Sequence, residues 1–236
     1  MPYLDATVEA LYRYPVKSML GELVDEIRFD SRGPLGDREW AVTYADGRVG
    51  SGKTWKHVRR LDGLLEYTAR TRDGRVEVHT PDGAVLLAGS PELDARLTAL
   101  AGEPVRALRE TATPHVDIGA VHLISRSSLA ALATEVPNGT AVPVARFRPN
   151  LVVDGAWEDG AEEGWVGRKL LIGGSTTLEI TELTERCVMV TLPQSGLPRD
   201  KEVLRVLAGA RRSNFGVYAK VVSGGRVARG DRIRAS

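Results

Sequence analysis

Three Asp-Gly pairs, Asp46-Gly47, Asp73-Gly74 and Asp82-Gly83, each separate short runs of strand-like residues. Asp-Gly suits the two-residue turn with positive φ that joins antiparallel strands, so the first hundred residues are constrained to a series of hairpins. Trp40, Val42 and Tyr44 alternate with Ala41 and Thr43, the period of a half-buried strand. Val76–Thr80 and Ala84–Ala88 flank the third pair. One helix interrupts the pattern. Ser90 can cap it, Pro91 suits its first turn, Leu93, Leu97 and Leu100 share a face, and Gly102 stops it. The boundary between two regions is expected around residues 90 to 115.

The second half begins with a predicted strand, Ala120–Ile124, and a helix opened by Ser125 that runs through Ala133. Further strands are predicted over Arg146–Val153, Lys169–Ile172, Thr176–Leu183, Phe215–Val222 and Arg232–Arg234. A short helix, Lys201–Ala208, carries Val203, Leu204 and Leu207 on one side, with Asp200 as cap and Gly209 as stop. Gly173-Gly174 and Gly224-Gly225 are read as hairpin turns. Many short strands and few helices imply a mainly β (α+β) chain built as a barrel or sandwich.

Composition bounds the function. A chain of 236 residues with 42% hydrophobic and 27% charged residues can bury a good core, as an ordinary globular protein does. No stretch reaches the roughly 18 apolar residues of a membrane span, and the N-terminus lacks a signal peptide's basic-then-apolar order. A cytoplasmic protein with no membrane partner is the expectation. A net charge of +1 supplies no global field toward nucleic acid, so none is expected as a partner. The basic residues are lopsided, 6 lysines against 26 arginines, which a GC-rich genome would also produce. The guanidinium fork nevertheless suits phosphate.

Cys187 is the one cysteine. It excludes an internal disulfide and, by itself, a cysteine-ligated iron–sulfur cluster in this chain, which takes four thiolates. A free cysteine is often an inert buried residue. This one directly follows Arg186 and a strand-like run. Some 35 residues earlier comes Arg146-Phe147-Arg148-Pro149-Asn150, read as placing Arg146 and Arg148 on one side of a strand. A soft thiolate accompanied by arginines suits a ligand with a metal at one end and phosphate at the other.

Seven segments then fall in a recognisable order: Tyr14-Pro-Val-Lys-Ser18, Gly36-Asp-Arg-Glu-Trp40, Val121-His-Leu-Ile-Ser125, Arg146 through Val153, Arg186-Cys187, Asn214-Phe-Gly216 and Gly230-Asp-Arg-Ile233. Over nearly its whole length the chain resembles the MOSC-domain proteins that carry an N-terminal MOSC β-barrel domain, in pattern most like the mitochondrial amidoxime-reducing component and its bacterial counterparts. The resemblance implies a MOSC β-barrel with a β-rich N-terminal domain and a few short helices. Residues 1–105 would form the N-terminal domain and 106–236 the MOSC domain with the ligand cysteine. It also implies molybdenum cofactor, a pterin whose dithiolene sulfurs hold the metal and whose side arm ends in phosphate. Cys187 would be catalytic and the protein's ligand to molybdenum, thiolate being the donor type such a metal takes. Lys17, Ser18, Arg38, Ser125, Arg148, Asn150 and Arg186 match positions that hold the pterin and its phosphate. Ser125 at a helix mouth would offer N–H groups and a hydroxyl to an anion, and Arg186 would favour the Cys187 thiolate.

Each residue has a plainer reading: an exposed turn for Lys17 and Ser18, a strand-end arginine for Arg38, a helix cap for Ser125, a turn residue for Asn150. The chain also departs from its relatives, which often carry a second cysteine where Thr184 stands and a small residue where Glu185 stands. The segment 191–198 is short and lacks an acidic residue, so the substrate mouth is expected to differ.

The activity implied is a molybdenum-dependent oxidoreductase reducing small N-hydroxylated compounds. Without a ferredoxin-like tail before Ser236, its electrons would come from a separate donor of ferredoxin, flavodoxin or cytochrome type. The alternative is a cofactor or sulfur carrier using a Cys187 persulfide. A cysteine hydrolase with His57, His79, His115 or His122 as base lacks a nucleophile motif and leaves the arginines unexplained. A zinc site lacks ligand spacing. His122 is expected to be a satisfied core histidine, and the acidic stretch 158–163, bracketed by Trp157 and Trp165, a solvated hairpin.

Overall fold

Seven strands, numbered here in chain order, close on themselves in the computed structural model, which describes residues 6–111, 114–137, 142–156, 158–194 and 196–235. They are β1 (Ala6–Arg13), β2 (Val121–Ser125), β3 (Leu151–Gly155), β4 (Lys169–Ile172), β5 (Thr176–Glu185), β6 (Asn214–Ser223) and β7 (Arg232–Ala235). Their order around the barrel is β3-β2-β6-β5-β4-β7-β1, and pairing of β1 with β3 seals it. Only β2 and β3 run parallel, with Leu123 opposite Leu151. The chain is mainly β, with three α-helices among the described residues: α1 (Pro91–Ala101), α2 (Arg126–Glu135) and α3 (Glu202–Ala210).

Closure is achieved by the first strand of the sequence. In β1, Leu11 faces Leu151 and Val8 faces Val153, with a bulge between, while Ala6 faces Ile233 on β7. The strand Glu26–Asp30 likewise pairs with Gly225–Ala228. Strands from the two ends of the chain therefore share one core: Val8, Leu11, Phe29, Leu123, Val153, Leu178 and Ile233 are all buried in it. Alternating positions point inward along each strand, so barrel closure buries one face and leaves no open edge.

A second core lies under the hairpins. The pairs Thr68–Arg72 with Arg75–His79, and Arg75–His79 with Val85–Leu87, meet at the Asp73-Gly74 and Asp82-Gly83 turns. Helix α1 lays Leu93 and Leu97 against Val42, Tyr44 and Ala107. The Ser90 hydroxyl caps it by accepting the Leu93 N–H at 3.2 Å, and Gly102 ends it in the left-handed conformation at φ 72°.

Four expectations need correction. Strand β3 begins at Leu151, not at Arg146; residues Val144–Arg146 form a 3-10 turn, and Arg148 is left-handed at φ 54°. Pro149 has no N–H for a ladder, so the chain cannot pair until it has passed that residue. Gly209 does not stop α3, which runs to Ala210; the left-handed break falls on Arg212 and Ser213 instead. Gly224-Gly225 does not close a hairpin, because Gly225–Ala228 pairs with Glu26–Asp30 and not with β6. The acidic stretch is not a solvated hairpin either. Ala161–Trp165 is a 3-10 turn in which Glu162 and Trp165 are buried, while Trp157 lies outside the described residues.

Candidate functional site

A cleft of about 470 Å³ opens where the barrel meets the first-segment loops. The barrel contributes His122 on β2, Tyr218 on β6, the turn from Arg146 to Asn150, and the segment after β5 that carries Cys187. The loops contribute Lys17 and Ser18 after β1, Arg38, Ser51, and residues Lys53 to Trp55. Lys17, Ser18, Arg38, Arg148, Asn150, Arg186 and Cys187, far apart in sequence, all line this one cleft. Another cavity of about 520 Å³ runs past Arg13, Trp40 and Arg109. Arg13 and Arg109 are already paired there with Glu22 and Glu39, the lining does not hold the thiol, and its buried unpartnered atom is a neutral hydroxyl, Thr71 Oγ1, rather than a cationic donor.

Cys187 is exposed and free. It follows the last residue of β5 by two and starts the 3-10 turn Val188–Thr191, whose Val190 N–H bonds back to the Cys187 carbonyl at 3.2 Å. Two guanidiniums brace the segment. Arg186 Nε donates to the Phe215 carbonyl at 2.8 Å and its Nη1 to the Phe147 carbonyl at 3.1 Å. Buried Arg146, beyond the cysteine, donates to the carbonyls of Val190, Leu192 and Pro198 at 3.2, 3.4 and 3.0 Å. Hydrogen bonds from these two guanidiniums thus fix the backbone around the thiol.

Backbone strain gathers at the same cleft. Ser18, Arg38 and Arg148 have φ of 64°, 54° and 54°, which a side-chain-bearing residue adopts at a cost of order 1–3 kcal/mol. The surrounding bonds enforce it. Arg38 N–H donates to the Tyr14 carbonyl at 2.7 Å and Lys17 N–H to the Trp40 carbonyl at 2.8 Å, so the turn after β1 and the Arg38 turn fix one another. The Arg38 guanidinium pairs with Asp37, whose Oδ1 accepts the Tyr14 N–H at 2.8 Å. Arg38 and Arg148 stand 4.9 and 4.3 Å from the centre of the Tyr14 ring.

Arg148, like Arg146 at its Nε, has an unsatisfied buried nitrogen. Arg148 Nη1 donates to the Met19 carbonyl at 2.6 Å, but its buried Nη2 has no partner. Burial first, and the neighbouring Arg38 charge second, push its pKa down to about 10. Burial lowers Arg186 to about 10 as well. Burial also lowers Lys17, against the opposing pull of Asp117. Such concentrated, partly unmatched positive charge suits an anionic ligand.

Not every predicted residue has free bonding capacity in the cleft. Ser125 is not among the residues lining it. Its hydroxyl donates to Glu162 Oε2 at 2.7 Å and its N–H to Glu162 Oε1 at 3.2 Å, and the Ser128 hydroxyl joins the same carboxylate at 2.8 Å. The anion at the mouth of α2 is the chain's own buried glutamate. Asn150 lines the cleft, but its amide stitches the barrel, accepting the His122 N–H at 3.1 Å and donating to the Tyr12 carbonyl at 3.3 Å. Ser18 donates to the Ser51 hydroxyl at 3.0 Å.

The sequence reading missed Lys53, Trp55, Met189 and Tyr218 as cleft residues and left Asp117 without a role. The cluster Lys53-Thr-Trp-Lys56 was the available signal for the first two, a cationic and aromatic loop, with Lys53 and Lys56 Nζ 5.0 and 4.2 Å from the Trp55 ring centre. Gly52 lets that loop close on the cysteine turn, since a Cβ there would meet Met189 Sδ at 2.8 Å.

His122 shares the cleft with the thiol, yet its Nε2 faces Arg186 Nη2 in a close hydrogen bond, and none joins it to Cys187 among the described residues. Burial and then the Arg186 charge hold its pKa well below the ordinary range. The native state thus keeps His122 neutral while the unfolded chain titrates near about 6.5. Its contribution is intact above that pH and declines as pH falls below it, at up to about 1.4 kcal/mol per unit, because only the unfolded chain takes up the proton. The melting temperature is expected to fall between roughly pH 6.5 and 5, and His122→Gln, which can still accept from Arg186, to flatten that fall. Melting curves at pH 7 and pH 5 test this; parallel losses in both proteins would exclude His122 as the cause.

Among the described residues no cluster of three or more His, Cys, Asp or Glu could hold a metal ion. A metal at Cys187 would need its remaining ligands from an organic cofactor. The orphaned Arg148 Nη2 and the exposed thiol in one electropositive cleft fit such a molecule. No helix of the described residues is long and apolar enough to cross a membrane.

Comparison with known proteins agrees with this architecture. The molybdenum cofactor sulfurases of Solanum lycopersicum and Danio rerio are 27% and 25% identical over 88% and 90% of this chain. The matched regions are 32% and 31% of those proteins, so the chain spans about a third of their length. The crystal structure of the YuaD protein from Bacillus subtilis superposes with a TM-score of 0.53 at 14% identity, covering 99% of this chain and 97% of that one, a likeness of fold alone. The family model for the MOSC N-terminal β-barrel domain matches residues 5–114, and that for the MOSC domain matches residues 114–234. The chain belongs to the MOSC-domain family, a family related to the molybdenum cofactor, with the N-terminal β-barrel domain preceding the MOSC domain.

Proposed function

We propose that this protein is a molybdenum-cofactor-dependent oxidoreductase that removes oxygen from small N-hydroxylated compounds. Two electrons from a separate donor protein of ferredoxin, flavodoxin or cytochrome type, with two protons, would convert N–OH to N–H and water. The observation that carries the reading is the exposed Cys187 thiol in a cleft whose buried Arg148 Nη2 has no partner. Cys187 would ligate the metal. Lys17, Arg38 and Arg148 would hold the pterin and its phosphate, Ser18 would contribute a hydroxyl, and Asn150 and Arg186 would shape the cleft wall. When bound, the cofactor supplies the redox chemistry, and the protein binds, orients and screens it from water. Trp55 and the exposed Ile118 and Val188 line the same cleft as the thiol and would offer apolar contacts to an organic substrate.

The test is elemental analysis of protein purified from a host that makes the cofactor, followed by turnover of benzamidoxime with a reduced donor. Formation of benzamidine supports the reading; full molybdenum loading without turnover on N-hydroxylated substrates defeats it. Arg148→Ala removes a charged donor worth about 1.5–3 kcal/mol, so cofactor affinity is expected to drop roughly ten- to a hundredfold. Cofactor retained through gel filtration measures that directly.

Sulfur or cofactor carriage is the second reading, favoured by the likeness to molybdenum cofactor sulfurases and by the accessibility of the thiol. A sulfane sulfur on Cys187 that passes to a recipient enzyme, or ready release of loaded pterin to an apo-enzyme, would select it over catalysis.

A further inference from the structure

We propose that Lys17 and Lys53 form a phosphate subsite within the cleft, and that the Asp117 carboxylate occupies this subsite until a phosphate-bearing ligand displaces it. Asp117 Oδ1 lies 2.6 Å from Lys17 Nζ, and its Oδ2 lies 3.1 Å from Lys53 Nζ. One carboxylate thus bridges two ammonium groups that reach in from separate loops. Lys17 is buried at 6% exposure and donates also to the His115 carbonyl at 2.6 Å, so its charge cannot simply swing into solvent. A phosphate brings more charge and more acceptor oxygens than a carboxylate to the same pair of donors.

Two acids ion-paired with cleft cations, Asp37 and Asp117, are held very differently. Asp37 is buried, fixed by the Tyr14 N–H, and paired with Arg38 as part of the turn itself. Asp117 is half-buried and lines the cleft on the irregular stretch 114–120, outside any helix or strand. Its displacement breaks no ladder. A separate observation calls for a ligand in the same space: Arg148 Nη2 is buried there without a partner, a demand that Asp117 leaves unmet. Asp117 therefore acts as an internal stand-in that keeps two lysines ordered and neutralised, and it lowers the cleft's affinity for anions that lack a second anchoring group.

The identity of the natural ligand rests on the cofactor reading above; the subsite itself is tested without the cofactor. Inorganic pyrophosphate is titrated calorimetrically, at constant ionic strength, into the full chain made in a host that lacks the cofactor. Asp117→Asn, which removes the competing charge, is expected to bind about tenfold tighter than the unaltered protein, and Lys53→Met about tenfold weaker. The double variant should lose most of the gain. Unchanged or weaker binding by Asp117→Asn overturns the proposal, as does Lys53→Met binding like the unaltered protein, or no binding by any form. Lys53 is partly exposed, so its loss should leave the melting temperature intact and the comparison interpretable. Molybdenum content of protein from a cofactor-making host is measured beside it. The pyrophosphate pattern without molybdenum would retain the subsite and discard the cofactor; molybdenum without the pattern would do the reverse.

Discussion

Replacing Cys187 with serine is expected to abolish molybdenum retention and turnover together while leaving the melting temperature unchanged. The thiol is exposed, and the backbone around it is fixed by Arg186 and Arg146 rather than by the sulfur. Serine is nearly the same shape, and a surface substitution of this kind stays within about 0.5 kcal/mol. The chemistry changes far more than the packing does. A hydroxyl is a hard, weakly acidic donor and a poor match for a metal already held by sulfur. Supporting groups around metal ligands commonly account for 10–100-fold in affinity, so losing the ligand itself should cost on the order of a hundredfold or more. Metal analysis, turnover and a melting curve on one preparation check all three parts. A variant that keeps its molybdenum and its rate would place the metal elsewhere. A variant that loses both and also melts early would mean that the cysteine was structural.

The contrast with Ser125 shows what residue order could and could not reveal. Both residues were assigned from motif position, and both sit at the start of a helical turn. The cysteine reached the cleft because β5 ends beside it and no other side chain covers the sulfur. The serine did not, because Glu162, 37 residues further on, folds back as a buried carboxylate onto the same hydroxyl and N–H. Nothing local to Ser125 announces that partner. The hairpins were legible because each Asp-Gly turn is a local device, and the bounds of β4 were legible from its apolar run and the following Gly173-Gly174 turn. Barrel closure was not. It depends on β1 finding β3 and β7 across most of the chain, and a single strand's alternation carries no information about its partners. Arg148 failed as a strand residue for a related reason. Pro149 forbids the ladder, and the left-handed turn that results is what aims the guanidinium into the cleft.

Gly216→Ala is expected to destabilise the protein by about 4 kcal/mol, the sum of a strained backbone and an overpacked contact, each of order 1–3 kcal/mol. Gly216 lies within β6 at φ 79°, beside the core residues Phe215 and Val217. A Cβ there would meet Ile124 Cγ1 and the Leu123 carbonyl oxygen at 2.7 Å, and His122 Nε2 at 2.9 Å. Two of these belong to the backbone or the fully buried core of β2, so neither can give way cheaply. The third is the imidazole that faces Arg186, which ties the packing defect to the brace behind Cys187. The melting temperature should fall by roughly 10 °C, given about 2–4 °C per kcal/mol for a chain of this size. Gly47→Ala separates the two contributions. Gly47 has nearly the same φ, 80°, but nothing within 4 Å of its Cβ position, so only the backbone strain of about 1–2 kcal/mol remains. Equal losses in the two variants would mean that β6 shifts to admit the methyl group, and that the close approach of β6 to β2 does not set the position of His122.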